Sequence, residues 1–331
     1  MKILYPFALI YRLGVYCRLL LYKYKILKSY SFNIPIISIG NIIMGGTGKT
    51  PMALWLFNEL ILKHKKPCIV TRGYGRVSKE LIVIDKNKMH YTADEIGDEP
   101  LMMLKSHKDM KMVVYNNKIK AIQAAISHLD IDIIILDDGF QSLYIDRDID
   151  VVMINAAQKE NEYRLFPMGM AREPIANIER ANMVITNKGI INSDINDFCI
   201  DNNINTCEAD NIFRMVGEDN KAIDSFENLQ SIAVCGIADP QSFLKTLNNY
   251  KINVITEFIV ADHYYYTAED INHIYQTMDE NSCNTIITTW KDYYKIHPLN
   301  IKNKKIIILE MKLKIEGNAL LSMIDATINE N

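Results

Sequence analysis

Short aliphatic runs recur along the first two thirds of the chain, separated by longer segments with helical periodicity. Ile36–Ile39, Cys68–Thr71, Met112–Val114, Ile133–Leu136, Val151–Ile154 and Met183–Thr186 read as strands. Pro51–Lys63, Asp98–Leu104 and Lys118–Leu129 read as helices between them. Strands that are apolar on both faces predict an α/β fold, a mostly parallel sheet with helices on both faces. Several of these runs end in Gly, Asp or Asn, where such sheets bind their ligands.

A second series follows: Ser231–Cys235, a helix over Pro240–Leu247, Val254–Phe258, a helix over Ala268–Met278, Thr285–Thr289 and Lys305–Leu309. It predicts a second, smaller α/β lobe. The intervening Asp194–Leu229 is polar and rich in Asn and Asp, and its strand-like Ile212–Val216 fits a hinge. The expected organisation is a leading segment over 1–30, a main domain over 31–210, a hinge or linker over 211–230 and the smaller lobe over 231–331.

The leading segment, MKILYPFALIYRLGVYCRLLLYKYK, is apolar, but its longest uncharged run is Ile3–Tyr11. A spanning helix needs about 20 apolar residues, and Arg12 and Arg18 interrupt this one. No small-x-small cleavage site follows. The pattern predicts a helix lying at a membrane interface, with Lys and Arg stems reaching the headgroups. Its basic positions do not share one helical face: Arg12 and Lys23 nearly coincide, while Arg18 and Lys25 fall on the far side. A helix packed on the protein's own body is the alternative.

Charge sharpens this division. The chain has 331 residues, 49% hydrophobic and 23% charged, which excludes disordered and fibrous classes. Its net charge of −3 conceals a split, because seven of 37 basic residues (Lys2, Arg12, Arg18, Lys23, Lys25, Lys28 and Lys49) precede the first acid, Glu59. The remainder carries 30 basic against 40 acidic residues. A basic head therefore joins an acidic body, and an anionic surface is the expected partner of the head. The six cysteines are scattered with no metal-ligand spacing, as in a reducing compartment.

The strongest local signal is Ser38-Ile39-Gly40-Asn41 running through Gly45-Gly46-Thr47-Gly48-Lys49-Thr50 into Pro51. A buried strand enters a Gly-rich loop, and Gly-Lys-Thr opens a helix whose N-terminus favours phosphate. This is a P-loop with Ile43 where the strict pattern has Gly. Gly45, Gly46, Thr47 and Gly48 would cradle phosphate, Lys49 would contact the outer phosphates, and the Thr50 hydroxyl would hold Mg²⁺. Ile133-Ile134-Ile135-Leu136 then ends in Asp137-Asp138, the acidic strand end that a metal-nucleotide site requires. Met44 stands where partition-type ATPases carry Lys, and Asn187-Lys188-Gly189-Ile190 lacks the carboxylate that reads guanine.

Further clusters sit at strand ends: Thr71-Arg72-Gly73-Tyr74-Gly75, Gly97-Asp98-Glu99-Pro100, Asp137-Asp138-Gly139-Phe140-Gln141, Arg172-Glu173-Pro174 and Ala261-Asp262-His263-Tyr264. With the phosphate loop, these motifs resemble in content and order the tetraacyldisaccharide 4′-kinase family of lipid A biosynthesis. The resemblance covers roughly residues 1–300. It implies an ATP- and Mg²⁺-dependent kinase, peripheral to the cytoplasmic face of the bacterial inner membrane. Its acceptor is the 4′-hydroxyl of an acylated glucosamine disaccharide 1-phosphate.

By the resemblance Asp98 matches the base and His263 its assistant, while Lys49 and Thr50 serve phosphate and Mg²⁺. Asp137 and Asp138 match the metal-binding strand end. Gln141, Arg172 and Glu173 match polar residues of the site, with Arg172 beside the transferring group and Glu173 near the metal. Arg72 is expected on phosphate or acceptor. No nucleic-acid or protein partner is implied. The family's Thr-Glu-Lys-Asp appears here as Thr289-Trp290-Lys291-Asp292, an indole replacing a carboxylate, and Ser142 follows Gln141 where many relatives have His. A nucleotide-dependent switch or scaffold at the membrane is the alternative.

Overall fold

The computed structural model describes residues 4–86, 90–225, 229–299 and 304–330; Lys2 of the basic head and the end of the last expected segment lie outside them. The leading helix α1 spans Tyr5–Lys23, with Pro6 in its first turn. Among the described residues no helix is long and apolar enough to cross a membrane.

The nucleotide-loop strand β1 (Ile36–Gly40) is buried at every position and leads through the loop into α2 (Lys49–Leu62). Met52, Ala53, Leu56, Phe57 and Leu60 of α2 recur every three or four residues and are buried against the sheet. There follow β2 (Pro67–Thr71), β3 (Ile82–Ile84), α3 (Ala93–Ile96), α4 (Asp98–Ser106), β4 (Met112–Val114), α5 (Lys118–His128), β5 (Ile133–Asp137) and β6 (Ile149–Asn155). Then come β7 (Met183–Asn187), α6 (Ser193–Asp201), the twelve-residue β8 (Asn205–Val216), β9 (Gln230–Cys235), α7 (Pro240–Asn249) and β10 (Asn253–Ile259). The chain continues through α8 (Ala268–Glu280), β11 (Thr285–Thr288), α9 (Trp290–Ile296) and β12 (Lys305–Ile315) to α10 (Ala319–Glu330).

All these strands form one sheet in the order β10-β9-β11-β12-β8-β7-β6-β1-β5-β2-β4-β3. In the first half β1 lies between β5 and β6, parallel to both, and β3 is an antiparallel edge strand. The second half, β9 to β12, is parallel within itself. The halves meet at β8, whose residues 205–209 run parallel to β7 while 209–216 run antiparallel to β12. Residues 211–216 of the expected linker are thus strand, hydrogen-bonded into the sheet.

Apolar layers cover both faces. Residues of α2, α4 and α10 pack with Ile37, Ile39, Ile133 and Ile135 on one face. On the other, Ala121, Ile122 and Ala125 of α5 meet Ile36, Val70 and Ile134. The second half has its own layers under α7 and α8. Beyond the expected elements, the structure contains β3, α3, α6, α9 and α10, and it extends the expected strand Lys305–Leu309 to Ile315.

Candidate active site

The loop after β1 is shaped by two glycines in the left-handed region, Gly45 at φ 108° and Gly48 at φ 90°. A Cβ on Gly48 would also lie 2.5 Å from Asn187 Nδ2 at the end of β7, so a side chain there would have to displace that buried amide. Three contacts hold the loop from behind. Asn41 Nδ2 donates to Thr47 Oγ1 (3.0 Å), Gln141 Nε2 donates to the Asn41 carbonyl (2.7 Å), and Met44 N donates to the Met170 carbonyl (2.8 Å). Thr47 also directs its amide inward, to the Gly45 carbonyl. It helps to shape the loop that is expected to cradle phosphate.

Beside this loop, β5 ends in two carboxylates that differ. Asp137 is set back and accepts from Thr71 Oγ1 (2.8 Å); burial, and then the Glu99 carboxylate, push it up to about 6. Asp138 faces the loop, with Lys49 Nζ 3.7 Å from its Oδ1 and Arg172 Nη1 at 3.0 Å from both oxygens. Burial pushes Asp138 upward, but Lys49, Arg172 and Lys118 outweigh it and hold the carboxyl below its usual range. Arg172 also donates to Gln141 Oε1 (3.3 Å), so loop, aspartate and Arg172 form one network.

Lys118, at the start of α5, is fully buried beneath this turn. Its Nζ donates to the Asp137 carbonyl (2.8 Å), the Asp138 carbonyl and Ser142 Oγ (3.3 Å), and burial pushes the ammonium down to about 8. It braces Asp138 at a left-handed φ of 47°. The sequence offers no mark for it: in Lys118-Ile119-Lys120, the buried lysine looks like the exposed one.

The Thr50 hydroxyl donates to Glu99 Oε2, and Glu173 Oε2 accepts from Arg180 and from Asn177 Nδ2 (2.7 Å). Among the described residues no group of three or more His, Cys, Asp or Glu is placed to hold a metal ion. Thr50, Asp137, Asp138 and Glu173 therefore do not form a closed cage; Glu173 is committed to Arg180. The oxygen donors Thr50 and Asp138 nevertheless fit Mg²⁺, which takes one or two carboxylates and completes its shell with water and phosphate.

Asp98 and Glu99 occupy the first turn of α4, where the helix dipole favours carboxylates. The second half of the sheet meets Asp98 there: His263 Nδ1 lies 3.1 Å and Lys295 Nζ 3.3 Å from its Oδ2. His263, at φ 60°, projects from the loop between β10 and α8. Lys188 at the end of β7 pairs with Asp239 before α7 (2.7 Å), a second bridge between the halves. The sequence pattern brings out Asp98 and His263 but gives no sign of Lys295, one turn beyond Asp292 on α9.

A cavity of about 230 Å³ opens between α1 and these strand ends, lined by Tyr11, Arg18, Arg72, Asp138, Gln141 and Arg172 among others. Tyr11 donates to the Arg172 carbonyl (2.9 Å) and Arg18 to the Gln141 carbonyl (2.9 Å). Arg18 thus turns toward the body, whereas the sequence reading placed it among headgroup-reaching cations. Leu9, Ile10, Leu13 and Tyr16, on the opposite side of α1, remain exposed. The helix both packs on the body and presents an apolar outer face.

A family model described as tetraacyldisaccharide-1-P 4′-kinase matches residues 1–329. The chain belongs to this family. Its similar relatives include the tetraacyldisaccharide 4′-kinase of Chlorobium limicola, 32% identical over 305 residues, covering 89% of this chain and 86% of the relative. The tetraacyldisaccharide 4′-kinase of Wigglesworthia glossinidia brevipalpis is 35% identical over 266 residues, covering 80% and 69%. The fold is similar to that of LpxK from Aquifex aeolicus, solved in complex with ATP: TM-score 0.81, 27% identity, and 99% of each chain covered. Within this tetraacyldisaccharide 4′-kinase-family fold, the phosphate loop, the Asp137–Asp138 strand end and the Asp98–His263 pair converge at one edge of the sheet.

Proposed function

We propose that the protein transfers the γ-phosphate of ATP to the 4′-hydroxyl of an acylated glucosamine disaccharide 1-phosphate, working from the cytoplasmic face of the inner membrane. The observation that carries this reading is the position of the Asp98–His263 pair. A carboxylate from one half and an imidazole from the other meet beside the phosphate loop, where a hydroxyl acceptor must be deprotonated. A switch requires no such pair, so the kinase reading is preferred.

Lys49 and the loop amides bind the β- and γ-phosphates, and Arg172, held on Asp138 and Gln141, neutralises charge on the transferring group. Thr50 and Asp138 would hold Mg²⁺, which would supply charge neutralisation at the phosphates. The acceptor oxygen forms its bond to the γ-phosphorus as the bond to the β,γ-bridging oxygen breaks. The hydroxyl proton passes to Asp98, which His263 orients, and ADP leaves. Arg72 and Arg18 line the cavity that receives the phosphorylated sugar. The two halves of the sheet act as a main domain and a smaller lobe that together enclose the nucleotide.

Acyl chains remain in the bilayer, so the enzyme comes to its acceptor, with the outer face of α1 as the contact. Ile10 and Leu13 are 68% and 62% exposed there. Replacing both with Glu removes apolar burial worth more than 1 kcal/mol and adds charge repelled by anionic lipid; partition to phosphatidylglycerol vesicles is expected to fall at least tenfold in sedimentation. The activity itself is tested by incubating purified protein with γ-labelled ATP, Mg²⁺ and the tetraacyl disaccharide 1-phosphate. One added phosphate on the lipid by mass is the expected result; ATP binding without transfer would overturn the reading.

A further inference from the structure

Resting on the kinase reading, we propose that Lys295 is a positioning residue for phosphoryl transfer, its ammonium fixing the Asp98 carboxylate from the far half of the sheet. Lys295 Nζ sits 3.3 Å from Asp98 Oδ2, 3.2 Å from the Tyr264 carbonyl and 3.5 Å from Asp292 Oδ1, and its side chain is only 7% exposed. The same Asp98 oxygen receives His263 Nδ1. The lysine and the imidazole therefore converge on Oδ2. Among the described residues no hydrogen bond reaches Oδ1, which leaves that oxygen to an acceptor hydroxyl.

The lysine is itself held. Asp292 is fully buried and accepts from Tyr266 Oη (3.1 Å) and Thr289 Oγ1 (2.8 Å), and the Lys295 ammonium lies 5.6 Å from the centre of the Tyr266 ring. Burial, then Asp292, push the Tyr266 hydroxyl upward, so it stays protonated and donates. Thr289 caps α9, and Asp292 and Lys295 then fall one turn apart on the face toward α4. From the same helix Lys291 pairs with Asp262, whose Oδ1 accepts from the His263 amide (3.0 Å). One short helix thus anchors both members of the base pair, Asp98 directly and His263 through its loop.

A carboxylate held at one oxygen by an ammonium and an imidazole keeps the other oriented, and misplacing a reacting group by about 1 Å costs up to about 100-fold in rate. The nucleotide loop makes no contact with Lys295 and is left as it is. The test compares the full-length protein with Lys295→Met and Lys295→Arg, measuring kcat and KM for MgATP and lipid acceptor, ATP affinity and Tm. Expected are a ten- to hundredfold fall in kcat for Lys295→Met, ATP affinity within twofold of the parent, and recovery of most of kcat in Lys295→Arg. A Lys295→Met enzyme with kcat within twofold of an active parent overturns the proposal. So does loss in both variants that tracks a fall in Tm, which marks a structural ion pair. Should Lys295→Met not fold, Lys295→Arg decides: near-parent kcat supports the proposal, and a hundredfold loss overturns it. A parent that binds ATP but transfers nothing overturns the kinase reading and this proposal with it.

Discussion

Asp98→Asn is expected to lower kcat by about 10²- to 10³-fold while leaving ATP affinity near that of the parent. The substitution keeps the size and the first-turn position of the side chain on α4, so packing around Leu101 and Leu104 is unaffected. What it removes is the negative charge that accepts the hydroxyl proton, and general-base contributions of this kind are typically about 10²- to 10⁴-fold. The lower part of that range applies because a loose phosphoryl transition state leaves less to the base than to charge stabilisation. The amide also turns a donor toward His263 and Lys295, which the carboxylate accepts from. Single-turnover phosphorylation of the lipid by pre-bound ATP isolates the step. Turnover within fivefold of the parent would mean that another group takes the proton.

Lys49→Met should be at least as damaging, with kcat/KM for MgATP lower by about 10³-fold. Lys49 opens α2 at the end of the phosphate loop and approaches Asp138 Oδ1 at 3.7 Å. Its charge serves the bound phosphates and, in their absence, offsets the Asp138 carboxylate. Removing one preorganised donor from such a site costs about 3–4 kcal/mol of transition-state stabilisation. Part of the loss appears in binding, because the β- and γ-phosphates are held in the ground state too, so both KM and kcat should change. Lys49→Arg is not expected to rescue, since a planar guanidinium needs more room than the loop around Gly48 provides. Steady-state kinetics with MgATP varied at saturating acceptor check this, and Tm within a few degrees of the parent separates it from misfolding.

The two variants probe opposite sides of the same edge of the sheet, and their difference is informative. Asp98→Asn should leave a competent ATP binder, whereas Lys49→Met should not. The reverse outcome would exchange the roles proposed for the two residues.

The strands of the first half were legible because they are buried on both faces: Ile133–Leu136 is wholly aliphatic, and Ile36–Ile39 is interrupted only by the small Ser38. The phosphate loop was legible because its chemistry is local, with three glycines, a lysine and a threonine within a few residues. The helices α6, α9 and α10 were not. The helix α9 is about two turns of mostly aromatic and charged residues whose burial comes from neighbours remote in the chain. Only the fold reveals that the Thr47 hydroxyl accepts from Asn41 behind the loop.

The sequence by itself determined that a parallel sheet carries a nucleotide loop beside an aspartate pair, because each of these signals lies within one strand and its turn. It also determined a basic, apolar leading helix. Only the tertiary structure decided that the two halves share one sheet, since the antiparallel pairing of β8 with β12 joins residues about a hundred positions apart. That pairing aims His263 and Lys295 at Asp98, while packing within the first half turns Arg18 inward and leaves Lys118 buried under the aspartates. Those contacts depend on distances between remote segments, and no periodicity along the chain encodes a distance across it.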